Sequence, residues 1–310
     1  MGSLIKNDDK KTYLAYLCVC VVWGSTYLAI RIGVSEFPPA LFAAIRFVTA
    51  GLIMLGYARV RGLKFPDKLI DVRRVAAVGI FLLAGGNGMV VWAEQWVHSG
   101  TTSLMVAAVP LFMASLELML PGRKKLGFKG WVGLLLGFAG VILLVFTNSE
   151  TGAINIKGAA ILLTGTLSWS VGSVYSKSFK ASGSIITHIG IQMLAGGTIL
   201  SITGLILGEA SRLNITPKGI GAVLYLIFFG SILGYSCYVY ILQKWPAAKV
   251  GTYAYVNPPV AVLLGSLILD EVLSLQVVIS SIVILAGVFL VQTSKVKSQS
   301  QVKDEIVEPV

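Results

Sequence analysis

Hydrophobic positions along this chain come in long blocks rather than with strand or amphipathic-helix periodicity. Apolar stretches alternate with short polar interruptions from residue 12 to residue 293. As a helix, a block of about 18 or more such residues covers the roughly 30 Å of a bilayer's hydrocarbon core. Ten spans are predicted, at 13–34, 39–59, 75–97, 101–120, 126–147, 155–176, 184–207, 218–241, 250–270 and 274–293. Turn signals separate several of them, at Phe37-Pro38-Pro39, Pro121-Gly122, Ser182-Gly183 and Thr216-Pro217. The connections are short, so neighbouring spans are expected to pack as antiparallel hairpins. The expected fold class is all-α integral membrane, with ten transmembrane helices.

The pattern occurs twice. Trp23 aligns with Trp169, Arg31 with Lys177 and Arg46 with Gln192, at an offset of 146. Gly85 aligns with Gly234, Trp96 with Trp245 and Pro110 with Pro259, at an offset of 149. The boundaries read as a first repeat over 12–148 and a second over 154–294. Residues 295–310 form a polar tail that reads as disordered and cytoplasmic. Five spans per copy is an odd number, so the second copy enters the membrane inverted relative to the first. Two inverted repeats are an architecture of secondary transporters, whose site lies between them.

Composition removes other readings. Hydrophobic residues make up 55% and charged residues 13% of the chain, too few charges for the surface of a soluble domain. The net charge of +11 lies in short loops rather than on a continuous face, so nucleic acid is not an expected partner. Of the 25 Lys and Arg residues, 20 fall in one alternate set of loops and tails. Arg31, Lys157, Arg212 and Lys218 fall in the other, and Arg46 lies within a span. By the positive-inside rule both termini are cytoplasmic. The first span, which follows Lys10-Lys11 and lacks a small-residue cleavage site, reads as retained rather than as a signal peptide. Cys18, Cys20 and Cys237 form no disulfide or metal spacing and read as packing residues. His98 and His188 are isolated.

Several short motifs bear a family likeness. They are Trp23-Gly24-Ser25-Thr26-Tyr27, Arg31-Ile32-Gly33, Pro38-Pro39, Arg46-Phe47, Gly86-Asn87-Gly88, Ala93-Glu94-Gln95, Val109-Pro110-Leu111-Phe112 and Tyr253-Ala254-Tyr255-Val256-Asn257-Pro258. In their order and spacing the chain resembles the EamA family of the drug/metabolite transporter (DMT) superfamily, in its bacterial inner-membrane branch. The resemblance implies a ten-helix carrier of the bacterial cytoplasmic membrane, often an exporter of amino acids or other metabolites. It also implies a central cavity walled by the first four spans of each repeat, with the fifth and tenth peripheral.

Arg46 is the sharpest single residue. A charge inside a span faces a watery cavity or a partner. It reads either as a clamp for a carboxylate or phosphate of the substrate, or as an internal lock paired to Glu94 or to helix carbonyls. Its counterpart Gln192 is neutral, which points to an asymmetric role. Asn87 lies between two glycines at a depth close to that of Arg46. It reads as cavity lining or as an interhelical hydrogen bond. Glu94 is the candidate coupling group for protons; the competing reading is a hydrated interfacial carboxylate. Trp23 and Trp169, with Tyr27, Tyr253 and Asn257, supply aromatic bodies and polar tips for a cavity wall or for plain packing. Pro110, Pro258 and Pro259 are expected helix breaks near span centres. Glu117 reads as interfacial. Gly133-x-x-x-Gly137 and Gly230-x-x-x-Gly234 allow a homodimer or close packing within the chain.

No phosphate loop, serine elbow or His-Glu-x-x-His motif is present. No cofactor, metal or enzymatic activity is therefore expected. The expected partners are a small-molecule substrate, the lipid bilayer and, for coupling, protons. The leading reading is a secondary transporter that exports a small metabolite by alternating access. A broad drug-efflux carrier is the second reading, and a non-transporting receptor or scaffold the third.

Overall fold

The computed structural model describes residues 2–97, 102, 105–119, 125–148, 156–260, 275–294 and 296–297. The described residues are almost wholly helical. In the first half, α1 is Gly2–Glu36, α2 Pro39–Val60, α3 Leu69–Ala93, α4 Val109–Leu118 and α5 Phe128–Asn148. In the second half, α6 is Ile156–Ser176, α7 Ile185–Ile206 and α8 Pro217–Lys244. Next comes α9, in two pieces at Ala247–Gly251 and 253–260, and then α10, Leu275–Gln292. Among the described residues, α2, α3, α7, α8 and the Asp9–Glu36 part of α1 are each long and apolar enough to cross a membrane. Lys125-Leu126 pairs antiparallel with Val296-Lys297, which ties the start of the tail to the loop before α5. The rest of the tail lies outside the described residues, as does His98.

Local chemistry sets the helix starts. Ser184 accepts the Thr187 N–H at 3.2 Å to cap α7, and Thr216 accepts the Gly219 N–H at 3.1 Å to cap α8, with Pro217 in the first turn. Pro38 begins α2 and offers no capping side chain. A distant carboxylate serves instead: Glu209 accepts from Leu41 N at 2.8 Å and Ala40 N at 3.4 Å. Gly208, at φ +66, ends α7 in the left-handed conformation that glycine adopts most readily.

Two helices depart from α geometry at matching places. Ile80–Gly88 of α3 and Leu226–Tyr235 of α8 are π-helical. Such wider turns interrupt the ordinary ladder and recur at functional sites. Close approach accompanies the first: a Cβ on Gly79 would lie 2.1 Å from the Gln192 carbonyl oxygen of α7.

Packing respects the duplication. α2 packs on α7, α4 on α9 and α5 on α10, and each pair joins equivalent helices of the two halves. α1 packs on α8, and its equivalent, α6, packs on α3. Every one of these contacts is preserved when the halves are exchanged. The glycine motifs serve this internal packing. Gly133 and Gly137 face α10 and Tyr255, while Gly230 and Gly234 face Arg46 and Trp23.

Candidate functional site

A cavity with about 70 Å³ of room for water-sized molecules lies between the halves. Its wall comes from α1, α2, α3, α4, α6, α8 and α9 and from Val106, three residues before α4, with no described residue of α5, α7 or α10. Seven of the residues singled out from the sequence line it: Trp23, Tyr27, Arg46, Asn87, Trp169, Tyr253 and Asn257. Gln192 stands one bond behind the wall. Its Oε1 accepts from the hydroxyl of Tyr235, a lining residue, at 2.9 Å.

Among the described lining residues, Arg46 is the one with a formal charge. It is 4% exposed. Its Nε donates to Ser231 Oγ at 2.7 Å, and its guanidinium carbon lies 4.7 Å from the Phe47 ring centroid. Nη1 has no hydrogen-bond partner. Neither lock read from the sequence is formed: Arg46 makes no ion pair with Glu94, and the side chain that holds it is Ser231, a residue with no distinguishing mark in the sequence. An arginine tied at Nε with a terminal nitrogen unsatisfied is set to receive an acceptor. Asn87 adds a further open position, since its Oδ1 is enclosed without a partner.

Aromatic rings gather at one side. Trp23 lies 5.4 Å from Trp169, 5.2 Å from Tyr238 and 4.9 Å from Tyr253 between ring centroids. Trp169 lies 5.2 Å from Tyr238 and 6.4 Å from Tyr235. These rings meet edge-on or tilted, the arrangement that aromatic quadrupoles favour. Trp23 Nε1 donates to the Gly230 carbonyl at 3.0 Å. Trp169 Nε1 sits beside the Tyr238 and Tyr253 hydroxyls without forming a hydrogen bond of good geometry. With its amide turned to satisfy its neighbours, Asn257 donates to the carbonyls of Tyr253 and Cys20, each at 3.1 Å.

Glu94 does not line the cavity. It lies one helical turn beyond Val90, which does. Both its carboxylate oxygens are enclosed without a hydrogen-bond partner, and the positive charge of Arg31 acts on it. That replaces the hydrated interfacial reading of this residue. Glu117 is corrected in the same sense. It is buried and accepts from Ala247 N at 2.8 Å and Ala248 N at 3.3 Å, capping α9.

The proline expectations divide. Pro110 is in the first turn of α4, just after a turn at 107–108 that separates it from helical residues 105–106. Pro258 and Pro259 sit inside the continuous helical stretch 253–260, and α9 is interrupted upstream, at Thr252. Proline's fixed φ suits a helix even though its missing N–H weakens the ladder. The interruption therefore need not fall on the ring itself.

Among the described residues, four carboxylates cross between the halves. Besides Glu117 and Glu209, Asp71 accepts from Ser182 N at 3.0 Å and Ser182 Oγ at 2.7 Å, and Glu36 accepts from Thr216 Oγ1 at 2.6 Å. Each joins a residue before 149 to one after 155.

This doubled scaffold has known relatives. The family model for the EamA-like transporter family matches twice, at residues 10–146 and 156–293. The chain belongs to the EamA-like transporter family. It is 40% identical over 261 residues to the uncharacterized inner membrane transporter YedA of Escherichia coli strain K12, covering 84% of this chain and 83% of that one. An uncharacterized transporter of Archaeoglobus fulgidus is 26% identical over 283 residues, covering 91% and 98%. A solved crystal structure aligns at a TM-score of 0.73 and 20% identity, over 90% of this chain and 96% of that one, which speaks to the fold alone. This EamA-like chain is thus a membrane transporter whose partners are a small molecule and the lipid around it.

Proposed function

We propose that this EamA-like protein is a secondary carrier that exports a small anionic or zwitterionic metabolite, such as an amino acid, across the cytoplasmic membrane by alternating access. The observation that carries the reading is Arg46: one formal positive charge on the described wall, buried, braced at Nε and unsatisfied at Nη1. An unpaired buried cation is costly unless an anion completes it. A carboxylate at Arg46, with a polar group near Asn87 and an apolar body against Trp23, Trp169 and Tyr27, would satisfy the open positions together.

The doubled contact pattern supports ten spans in two inverted halves, and the Lys/Arg distribution supports cytoplasmic termini. Glu94, enclosed and unpartnered, is the candidate site for a coupling proton. The aromatic cluster favours a second reading, broad drug efflux. Lipophilic cations would meet Arg46 unopposed, so that reading requires uncharged or anionic drugs.

Purified protein in liposomes, screened by counterflow against a metabolite library with and without a pH gradient, tests the proposal. Carboxylate solutes should exchange in the wild type and fail to exchange in Arg46→Ala at equal folded yield. Unchanged kinetics in that variant would remove the clamp, and selective exchange of uncharged or anionic lipophilic drugs would favour the efflux reading.

A further inference from the structure

Arg46 leans on one short stretch of α8. Ser231 is fully enclosed (0% exposed), and its hydroxyl is the hydrogen-bond partner of Arg46 Nε at 2.7 Å. The preceding residue has no side chain. A Cβ on Gly230 would stand 2.8 Å from Arg46 Nη2 and 3.2 Å from Thr26 Cγ2. The Gly230 carbonyl accepts from Trp23 Nε1, an existing bond with which Arg46 would have to compete. Phe47 closes the remaining side. The stretch belongs to the π-helical part of α8, Leu226–Tyr235.

A guanidinium carries five donors in a rigid plane, and fixing Nε–H fixes the rotation of that plane about its last side-chain bond. Without the hydroxyl, the plane is free to turn. With a methyl at 230, it cannot lie where it does.

We infer that Ser231 and Gly230 are positioning residues that set the protein's preference for a carboxylate over its neutral amide, by holding the Arg46 plane toward the bound group. This deepens the anion-clamp reading and rests on it. Ser231 acts through Arg46 and need not touch the solute. The distinction it controls is one of charge and planarity rather than size. A carboxylate and its primary amide fill nearly the same volume, yet only the carboxylate accepts a charge-assisted bond at both oxygens.

The test uses full-length protein in liposomes and a panel of radiolabelled amino acids and short-chain carboxylates, each beside its primary amide. The readout is the carboxylate-to-amide ratio of counterflow efficiency. The wild type should prefer carboxylates, and Arg46→Ala should abolish the preference. Ser231→Ala should lower it about tenfold, the scale of one hydrogen bond to a charged group. Ser231→Thr, which keeps the hydroxyl, should restore most of it, and Gly230→Ala should lower it with the hydroxyl intact. Unfolding temperature in detergent identifies a variant that merely misfolds, in which case the Ser231→Thr and Gly230→Ala ratios decide. A wild type without carboxylate preference, or an Arg46→Ala variant that keeps it, overturns the clamp and this inference together. A full preference in folded Ser231→Ala, with Arg46→Ala deficient, overturns this inference alone.

Discussion

Equivalent positions in the two copies make different bonds. Trp23 donates its indole N–H to Gly230 O at 3.0 Å, while Trp169, 146 residues on, has no such partner. The carbonyl corresponding to Gly230's, at Phe81, is taken at 2.8 Å by Ser168 Oγ. Arg46 reaches Ser231 and carries a charge, whereas Gln192 is neutral and accepts from Tyr235. Lys177 holds the carbonyl end of α8 through Leu242 O at 2.7 Å and Trp245 O at 2.8 Å. Its counterpart Arg31 acts on Glu94 through space, and the position in α8 corresponding to Glu94 is the neutral Gln243. The helix pairings described above survive exchange of the halves; these polar bonds do not. On the proposed reading, the difference puts binding and coupling chemistry in the first copy and bracing in the second. Under the proposed inversion, it also describes a bundle more tightly bound at one end than at the other.

The largest effect expected separates Arg46 from Gln192. Arg46→Ala should reduce carboxylate counterflow by about a hundredfold or more, the scale of losing a charge-assisted pair in an enclosed site. Gln192→Ala should cost about tenfold or less, because it removes one neutral hydrogen bond behind the wall. Equal losses in the two liposome assays would make the positions equivalent and break the comparison.

Next comes the coupling carboxylate. Glu94→Gln should abolish acceleration of transport by an imposed pH gradient while leaving solute binding in detergent intact. The protein with a carboxylate at the equivalent place, Gln243→Glu, should not gain a second proton dependence, since Lys177 already holds that helix end. A gradient response that survives in Glu94→Gln rules out the assignment.

Smaller shifts are expected from the crossing carboxylates. Glu117→Gln and Glu209→Gln each weaken a tie between halves, and by the proposed topology the ties lie at opposite mouths. Thiol labelling of single cysteines placed at each mouth should change a few-fold, in opposite directions for the two variants, as populations shift by about 1 kcal/mol. Changes in the same direction would place both ties at one mouth.

The smallest effect compares the tryptophans. Trp23→Phe loses a hydrogen bond of good geometry and should destabilise the protein by about 0.5–1.5 kcal/mol more than Trp169→Phe, whose N–H only neighbours the Tyr238 and Tyr253 hydroxyls. Thermal unfolding in detergent measures the order; the reverse order would show that Trp169 is the braced member of the pair.

Much of the cavity wall was legible because polar residues contrast with an apolar background. Arg46, Asn87 and Asn257 stand out inside hydrophobic spans, and the matched Trp23 and Trp169 mark the same depth twice. Ser231 had no such contrast, since serines are scattered through the spans and its partner arrives from a helix 185 residues away. Glu117 and Glu209 lie near helix ends, where a carboxylate ordinarily meets water, so their service as caps for α9 and α2 has no local signature. The π-helical stretches are apolar almost throughout, and a run without polar punctuation shows no period from which to read 3.6 residues per turn or more. Pro258-Pro259 signalled an irregular α9, but the irregularity settled at Thr252, because where a ladder yields depends on its neighbours as well as on the ring.

The four ties between the halves carry a thermodynamic implication. The hydrogen bonds that make them come from backbone N–H groups and hydroxyls, donors whose loss water can make good once a mouth parts. Rupture at one rim therefore exchanges protein donors for solvent ones at modest net cost, with a comparable exchange available in reverse at the far rim. Under the proposed alternating-access reading, solute and ion gradients are what drive the carrier. Fastenings that hydrate readily would keep its two orientations close enough in free energy for those gradients to turn it over.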